Sequence, residues 1–431
     1  MAQLTDDCFA FDGPLIRADD ALARIRERLV PIADSVCVPV SSALGRILAE
    51  DVIAPHSIPP YANSAVDGFA VFHADLNPNA DTHLPVGGRV AAGSPLGRPQ
   101  SRGEAVKIFT GAPIPDGADG GPPDTVMMLE DCVESDNGCI VTVHPGIRKG
   151  ANLRPAGDDV SAGSTVLSAG TKLRPQELGM LAACGRTDVS VYRPLSVAIF
   201  STGDEIRDPG TPLEPGTQYD SNRRMIAAAL ECAGFAVTDF GIIPDDADAI
   251  SGTLTSAAAD HSAVVTTGGM SMGEEDHVRA AIECSGQLSF WRVAIKPGRP
   301  VGMGLISRGD NRKSVLIGLP GNPVAALTTL ILLGRPTLLT LQGARDIAPT
   351  RYRAVLGFDY KKKPDRREFV RVVLDGRDAE TGMAIARKHG KSGAGVLSSL
   401  VGADGFVEIA EDDTHLVEGS VVDFLPFSEV F

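Results

Sequence analysis

The stretch AVVTTGGMSMGEED, residues 263–276, constrains the fold of this chain more than any other part of it. Its first five residues are small or β-branched, which reads as a strand buried on both faces in a parallel sheet. Gly268 and Gly269 then allow a bend in which a ligand can approach the main chain closely. Residues 276–284 carry helical spacing, and the N–H groups that open such a helix would point back at the bend, an arrangement suited to phosphate. Alone, the segment admits two readings: an anion-binding loop, or an ordinary tight turn between strand and helix. The neighbouring sequence repeats the pattern. A strand (197–200), an acidic turn, a helix (222–233), a second strand and a helix (247–259) lead into the key stretch. Further strands are expected at 290–295, 301–306 and 315–319, before GLPGNP (318–323) opens a helix near Pro323. This alternation predicts an α/β domain with a central parallel sheet, in which ligands sit at the carboxyl ends of the strands.

A chain of 431 residues exceeds one ordinary core, so a multidomain α/β protein is expected. Residues 18–30 place Leu22, Ile25 and Leu29 on one face of an amphipathic helix. Short β-like runs at 69–72, 105–109, 126–129 and 139–143, split by Gly/Pro clusters, mark residues 51–156 as a β-rich domain. Residues 157–193, with a short helix at 175–183 opened by Pro175, are expected to join residues 15–50 in an N-terminal or linker domain. Residues 194–343 make the α/β domain. Residues 344–431, with runs at 370–374, 406–409 and 421–424, make a small C-terminal β domain.

The formal charge of −15 and the pI of about 5.0 leave no broad basic field for nucleic acid or an anionic membrane, so an anionic ligand must be met locally. Seven cysteines without a CxxC pair read as free thiols in a reducing compartment. The N-terminus carries no basic-then-apolar leader, and the longest apolar helix candidate, 324–333, is too short to cross a bilayer. A soluble, cytoplasmic protein is expected.

Three loops leave the expected strand ends with unusual residues: STGDE (201–205), the 266–276 segment and GLPGNP. Beside them Arg292, Lys296 and Arg299 fall within a few residues of one another, which in so acidic a chain asks for an anion; the alternative is a solvated basic rim. Asp204, Glu205, Asp245, Asp246 and Asp276 also lie at expected strand ends, where they would repel an oxyanion unless a cation sits between them. With no zinc-like His or Cys spacing, Mg²⁺ is the cation such a set implies, Asp276 and Asp245 being its candidate ligands. Asp245 and Asp246 have an equally ordinary reading as helix-start residues.

The combination of SAVDGFA (64–70), TGAP (110–113), RPAGDD (154–159), STGDE, TGGMSMG (267–273), KPGR (296–299) and GLPGNP is similar to the molybdopterin molybdenumtransferases, which include the E domain of gephyrin. The likeness runs nearly end to end. It implies the reaction of adenylylated molybdopterin with molybdate to give molybdenum cofactor, with AMP released and Mg²⁺ required. It also implies a homodimer of four-domain subunits with a C-terminal small β-barrel, an α/β domain resembling the molybdopterin adenylyltransferases, and a site completed by the β domain of the other subunit. By motif position Asp67, Asp159, Glu205 and Asp276 match functionally important acids. Thr202, Gly203, Gly268, Gly269, Ser271, Gly273, Pro320, Gly321 and Asn322 match substrate-binding loops, and Arg292, Lys296, Arg299 and Arg371 match anion-binding positions. Transient contacts with a molybdopterin adenylyltransferase and with molybdoenzyme acceptors are implied as well. Two positions depart from the family pattern. Arg299 stands where KPGK is common, exchanging a point ammonium for a planar fork, and Ala394 in Gly393-Ala394-Gly395 replaces a serine expected near molybdate. A rival reading is a non-catalytic cofactor carrier or protein scaffold of the same fold, although the retained acids favour the enzyme.

Overall fold

The structure, a computed structural model, describes residues 4–5, 8–9, 15–118, 120–268, 286–298, 300–308 and 312–431. The chain forms two compact units, one of Asp51–Ser168 with Pro175–Thr187, the other of Met1–Glu50, Ala169–Arg174 and Asp188–Phe431.

The larger unit holds a six-stranded sheet in the order Ala236–Ile243, Ser196–Thr202, Ala263–Thr267, Lys313–Leu319, Pro300–Ser307, Gly286–Arg292. The first four strands run parallel. Ala263–Thr267 is buried along its whole length, as its β-branched run foretells. The sheet is nevertheless mixed, not purely parallel. Pro300–Ser307 pairs antiparallel with both Lys313–Leu319 and Gly286–Arg292, because the few residues between Ser307 and Lys313 can close a hairpin but cannot make a parallel crossover. The single strand expected at 290–295 is divided for a related reason. Its first part ends at Arg292 in this sheet, while Ile295–Lys296 pairs parallel with Arg367–Arg377 in another.

Helix Ala247–Asp260 opens on Asp246, whose carboxylate accepts the Ala249 amide at 2.9 Å, the ordinary helix-start role. The helix opened by Pro323 corrects the expected length. It continues through a π turn at Leu330–Gly334 into Arg335–Gln342, giving 20 residues, long and apolar enough by length and composition to cross a membrane. Of its apolar window, 94% is buried inside the protein. There Leu330, Leu333 and Leu341 share a core with Ile25 of the N-terminal helix Ala18–Arg28 and with Leu29 just after it. Gly343 ends the helix at φ +94°, where a Cβ would lie 2.3 Å from the Tyr192 ring.

The C-terminal strands close on themselves. Arg367–Arg377 pairs with Ala384–Lys388 on one side and Gly405–Ile409 on the other; Tyr352–Leu356 and Val421–Pro426 complete a five-stranded barrel. Closure removes the exposed strand edges. Leu356, Val370, Val372, Val407, Ile409 and Phe424 share one core cluster in it.

The smaller unit carries a six-stranded sheet in the order Thr125–Met128, Gly68–Val71, Ala105–Ile108, Thr82–Val90, Ile140–Val143, Cys132–Ser135. Alternation along Gly68–Val71 sends Phe69 and Val71 into one core cluster and Ala70 into another. Helix Pro175–Ala183 belongs to this unit, whereas the next strand, Asp188–Tyr192, pairs with Ser35–Pro39 in the larger one.

Candidate functional site

Four parallel strands end on one edge of the larger unit's sheet, and the loops that follow them are tied together by short contacts. The Gly268 amide donates to Leu319 O at 3.3 Å. At φ +90° a Cβ on Gly268 would lie 2.6 Å from Thr202 O, so only glycine permits this approach. Asn222, at the head of helix Asn222–Cys232, donates through Nδ2 to Gly321 O at 2.6 Å. Ser201 Oγ and Thr267 Oγ1 share a buried hydrogen bond of 2.8 Å beneath the loops. Among the described residues, the buried Thr202 Oγ1 and Asn222 Oδ1 of these loops meet no hydrogen-bond partner. Buried polar atoms left unpaired are costly, so these two define where a polar ligand would gain most. On the acidic side the exposed Glu205 folds back over Gly203, where a Cβ would lie 2.5 Å from its Oε2. The Asp245 amide donates to Asp204 Oδ1 at 3.3 Å, bringing these two acids to adjoining strand ends. Among the described residues no three His, Cys, Asp or Glu side chains converge as a metal site would need.

The barrel adds the basic half of the arrangement. Lys296 sits at the end of Ile295–Lys296, in register with Glu368 on Arg367–Arg377. Its exposed ammonium reaches both oxygens of the buried Glu368 carboxylate at 3.1 Å, and Tyr360 donates its phenol to Glu368 Oε2 at 2.7 Å. Burial, and then the bond to Glu368, raise the Tyr360 phenol well above its ordinary pKa. Next to Lys296, Gly298 takes φ +109°, with a would-be Cβ 2.4 Å from Thr329 Oγ1, which fastens this loop onto the helix begun by Pro323. Arg371, only 8% exposed, uses its guanidinium as a fork: Nε donates to Ser399 Oγ at 3.0 Å and Nη2 to Lys391 O at 3.0 Å and Gly393 O at 3.4 Å. Burial lowers its pKa from the ordinary value, though an arginine stays charged at physiological pH. The loop it holds meets the GLPGNP turn. Ala394 O accepts the Val324 amide at 2.9 Å, and a Cβ on Gly395 would lie 3.2 Å from Asn322 Oδ1.

In the smaller unit three motifs come together. Asn63–Ser64 pairs antiparallel with Leu153–Arg154, joining SAVDGFA to RPAGDD. Thr110 of TGAP donates its amide and its hydroxyl to Asp67 Oδ1, both at 2.8 Å. These bonds hold the Asp67 carboxyl below the usual carboxylate range. Gly68 is required beside it, since a Cβ there would fall 1.7 Å from Met127 O of the paired strand. Asp159 is exposed, and its amide donates to Ile58 O at 3.0 Å.

Three domain families match the chain in succession: the MoeA N-terminal region (domain I and II) over residues 16–185, a probable molybdopterin binding domain over 198–340, and the MoeA C-terminal region (domain IV) over 353–427. The molybdopterin molybdenumtransferase of Haemophilus influenzae is 33% identical over 417 residues, covering 96% of this chain and 100% of the relative. The chain belongs to the molybdopterin molybdenumtransferase family. Molybdopterin molybdenumtransferase 2 of Mycobacterium tuberculosis is likewise 33% identical, over 92% of this chain and 96% of that protein. The crystal structure of the molybdopterin biosynthesis moeA protein from Pyrococcus horikoshii OT3 is similar throughout, with a TM-score of 0.79 and 29% identity over 96% of this chain and 100% of that one. The family's members are transferases of molybdenum cofactor biosynthesis.

Of the positions named from the sequence, the structure gathers Thr202, Gly203, Glu205, Gly268, Pro320, Gly321 and Asn322, with the candidate metal ligand Asp245, at the strand ends, and the loops of Lys296 and Arg371 approach through the helix begun by Pro323. Arg292 ends its strand with an exposed side chain. Asp67 and Asp159 belong to the smaller unit. Gly269, Ser271, Gly273, Asp276, Arg299 and the helix expected after Asp276 lie outside the described residues. Sequence reasoning passed over Asn222, whose signal was an asparagine opening the expected helix right after the acidic turn, and Glu368 and Tyr360, which nothing local marks.

Proposed function

We propose that this protein inserts molybdate into adenylylated molybdopterin, with Mg²⁺-dependent hydrolysis of the adenylate and release of AMP, as a cytoplasmic homodimer. What supports the reading is the meeting of the Thr202, Gly268 and Gly321 loops at one sheet edge, with Thr202 Oγ1 and Asn222 Oδ1, which have no partner among the described residues, between them. Loop amides and these polar atoms bind and orient the phosphate and pterin portions so that an oxygen nucleophile can align with the phosphorus. Lys296 offsets the charge that develops on the departing phosphate. Molybdate, a tetrahedral dianion, is met by Lys296, Arg292 and Arg299, with Arg371 fixing the 391–395 loop that borders Asn322.

The acids present, all hard oxygen donors without histidine or cysteine among them, fit Mg²⁺ in kind, with Asp245 and Asp276 as the residues that would hold it. When bound, the ion supplies neutralisation of phosphate charge. Glu205 then serves to hold or accept a proton at its exposed carboxylate. Asp67, ionised and fixed by Thr110, serves a positioning role in the same chemistry.

The test is single-turnover release of AMP from adenylylated molybdopterin, with and without molybdate. Release that requires both molybdate and Mg²⁺ supports the reading. Binding of the pterin without release would make the protein a carrier, and binding of neither substrate would leave a scaffold.

A further inference from the structure

We infer that Glu368 is a built-in counter-ion that competes with molybdate for Lys296 and so weakens the site's hold on dianions. The inference rests on the reading above that Lys296 binds the oxyanion. Its physical basis is the geometry of three side chains. The Glu368 carboxylate is 5% exposed yet meets the 58% exposed Lys296 ammonium with both oxygens at 3.1 Å. Tyr360 donates to Oε2 at 2.7 Å, a bond that fixes the orientation of the carboxylate. The pairing is also fixed by the backbone, because Lys296 and Glu368 are register partners in adjacent parallel strands. An anion that binds Lys296 therefore binds beside a fixed negative charge, and the ammonium must divide its donors between the two.

Such a carboxylate has a stated consequence for anion charge. In linear electrostatics a fixed negative charge weakens a dianion twice as much, in free energy, as a monoanion of the same shape. Glu368 thus keeps molybdate binding loose enough to exchange, and the C-terminal barrel sets the affinity of a site whose other walls belong to the α/β sheet. Glu368 is a positioning residue in this account, since it acts through Lys296.

The experiment is calorimetric titration of the full-length protein and its variants with molybdate, a tetrahedral dianion, and with perrhenate, a tetrahedral monoanion of similar size. Glu368→Gln removes the charge while keeping the shape and an acceptor for Tyr360. It is expected to tighten molybdate by about tenfold and perrhenate by about threefold. Glu368→Asp, which keeps the charge, should leave the ratio of the two affinities near that of wild type. Lys296→Ala separates the two layers of the argument. If it leaves molybdate binding unchanged, the underlying anion role of Lys296 fails. If Lys296→Ala weakens binding while Glu368→Gln weakens both anions alike or leaves them unchanged, the counter-ion role alone is overturned, because loss of mere structural support would not distinguish one anion charge from the other.

Discussion

Arg223 is a buried cation of the larger unit that gathers three carboxylates, and its removal has a calculable effect. Its side chain is 2% exposed and meets Asp208, Asp220 and Asp239, with Nε to Asp220 Oδ2 at 3.0 Å. Asp208 lies on the excursion that begins at Glu205, and Asp220 ends it; Gln218 N donates to Glu205 O at 2.8 Å, closing the base. Arg223→Met would leave Asp220, also 2% exposed, as a buried carboxylate without its cation. Stranding a buried charge in this way costs about 3–5 kcal/mol. The buried Trp291, the chain's single tryptophan, gives a fluorescence probe of this unit's unfolding in urea. The expected result is a lowered urea midpoint at pH 7 corresponding to that loss, with about half or more recovered in Arg223→Met combined with Asp220→Asn, which removes the stranded charge. The pH dependence has a definite sign. Burial pushes the Asp239 carboxyl up, but bonds from Arg223 and the Gly241 amide outweigh it and hold the group below its ordinary range. A depressed carboxylate stabilises the fold above its unfolded pKa, near 4, and the contribution is lost as pH falls through the folded value. The gap between wild type and Arg223→Met should therefore narrow as pH falls below about 4. A loss under about 1 kcal/mol at pH 7, or no recovery in the double variant, would refute the reasoning.

Gly298→Ala should destabilise the protein by about 1–3 kcal/mol and weaken molybdate binding, since φ +109° and the 2.4 Å approach to Thr329 Oγ1 leave no room for a methyl group; thermal melting and anion titration check the two effects. Asp276→Asn keeps the side-chain oxygen that would cap the helix expected from the sequence but not the charge that a hard cation needs, so melting should be unchanged, AMP release lost, and the loss partly reversed by raised Mg²⁺. Full release at ordinary Mg²⁺ would remove Asp276 from the mechanism. In the homodimer reading, co-refolded Asp67→Ala and Asp276→Ala chains should regain activity that neither variant dimer shows, and failure to do so would count against a site shared between subunits.

What was legible in the sequence was what local chemistry dictates. The β-branched run before Gly268 became a fully buried strand, and Pro175 and Pro323 each opened a helix, because proline's fixed φ and missing N–H suit that position. Strand direction was less legible. Apolar periodicity at 301–306 and 315–319 marks strands, but it says nothing about whether partners run alike, and the short link after Ser307 decided for a hairpin. The departure of Ile295–Lys296 to the barrel was invisible for a different reason: its partner lies 72 residues away, and only closure of the barrel brings Glu368 to Lys296. At the site, glycines and loop motifs stood out because close backbone approaches demand particular residues. Arg371 was named from likeness as an anion-binding residue, and the structure adds what likeness could not, a buried guanidinium already engaged with Ser399, Lys391 O and Gly393 O. Glu368 and Tyr360 owe their places to tertiary contacts alone.

The central claim is that the oxyanion is received where the strand-end loops of the α/β sheet meet the barrel's Lys296 and 391–395 loops. Anomalous diffraction at the molybdenum absorption edge, from crystals of the full-length protein soaked in molybdate, locates that ion directly. The account predicts a molybdenum peak placed so that the molybdate oxygens accept hydrogen bonds from Lys296 Nζ, beside the Asn322 turn, and absent in crystals of Lys296→Ala. A peak that persists in that variant, or one that lies away from both loops in the wild-type protein, would contradict it.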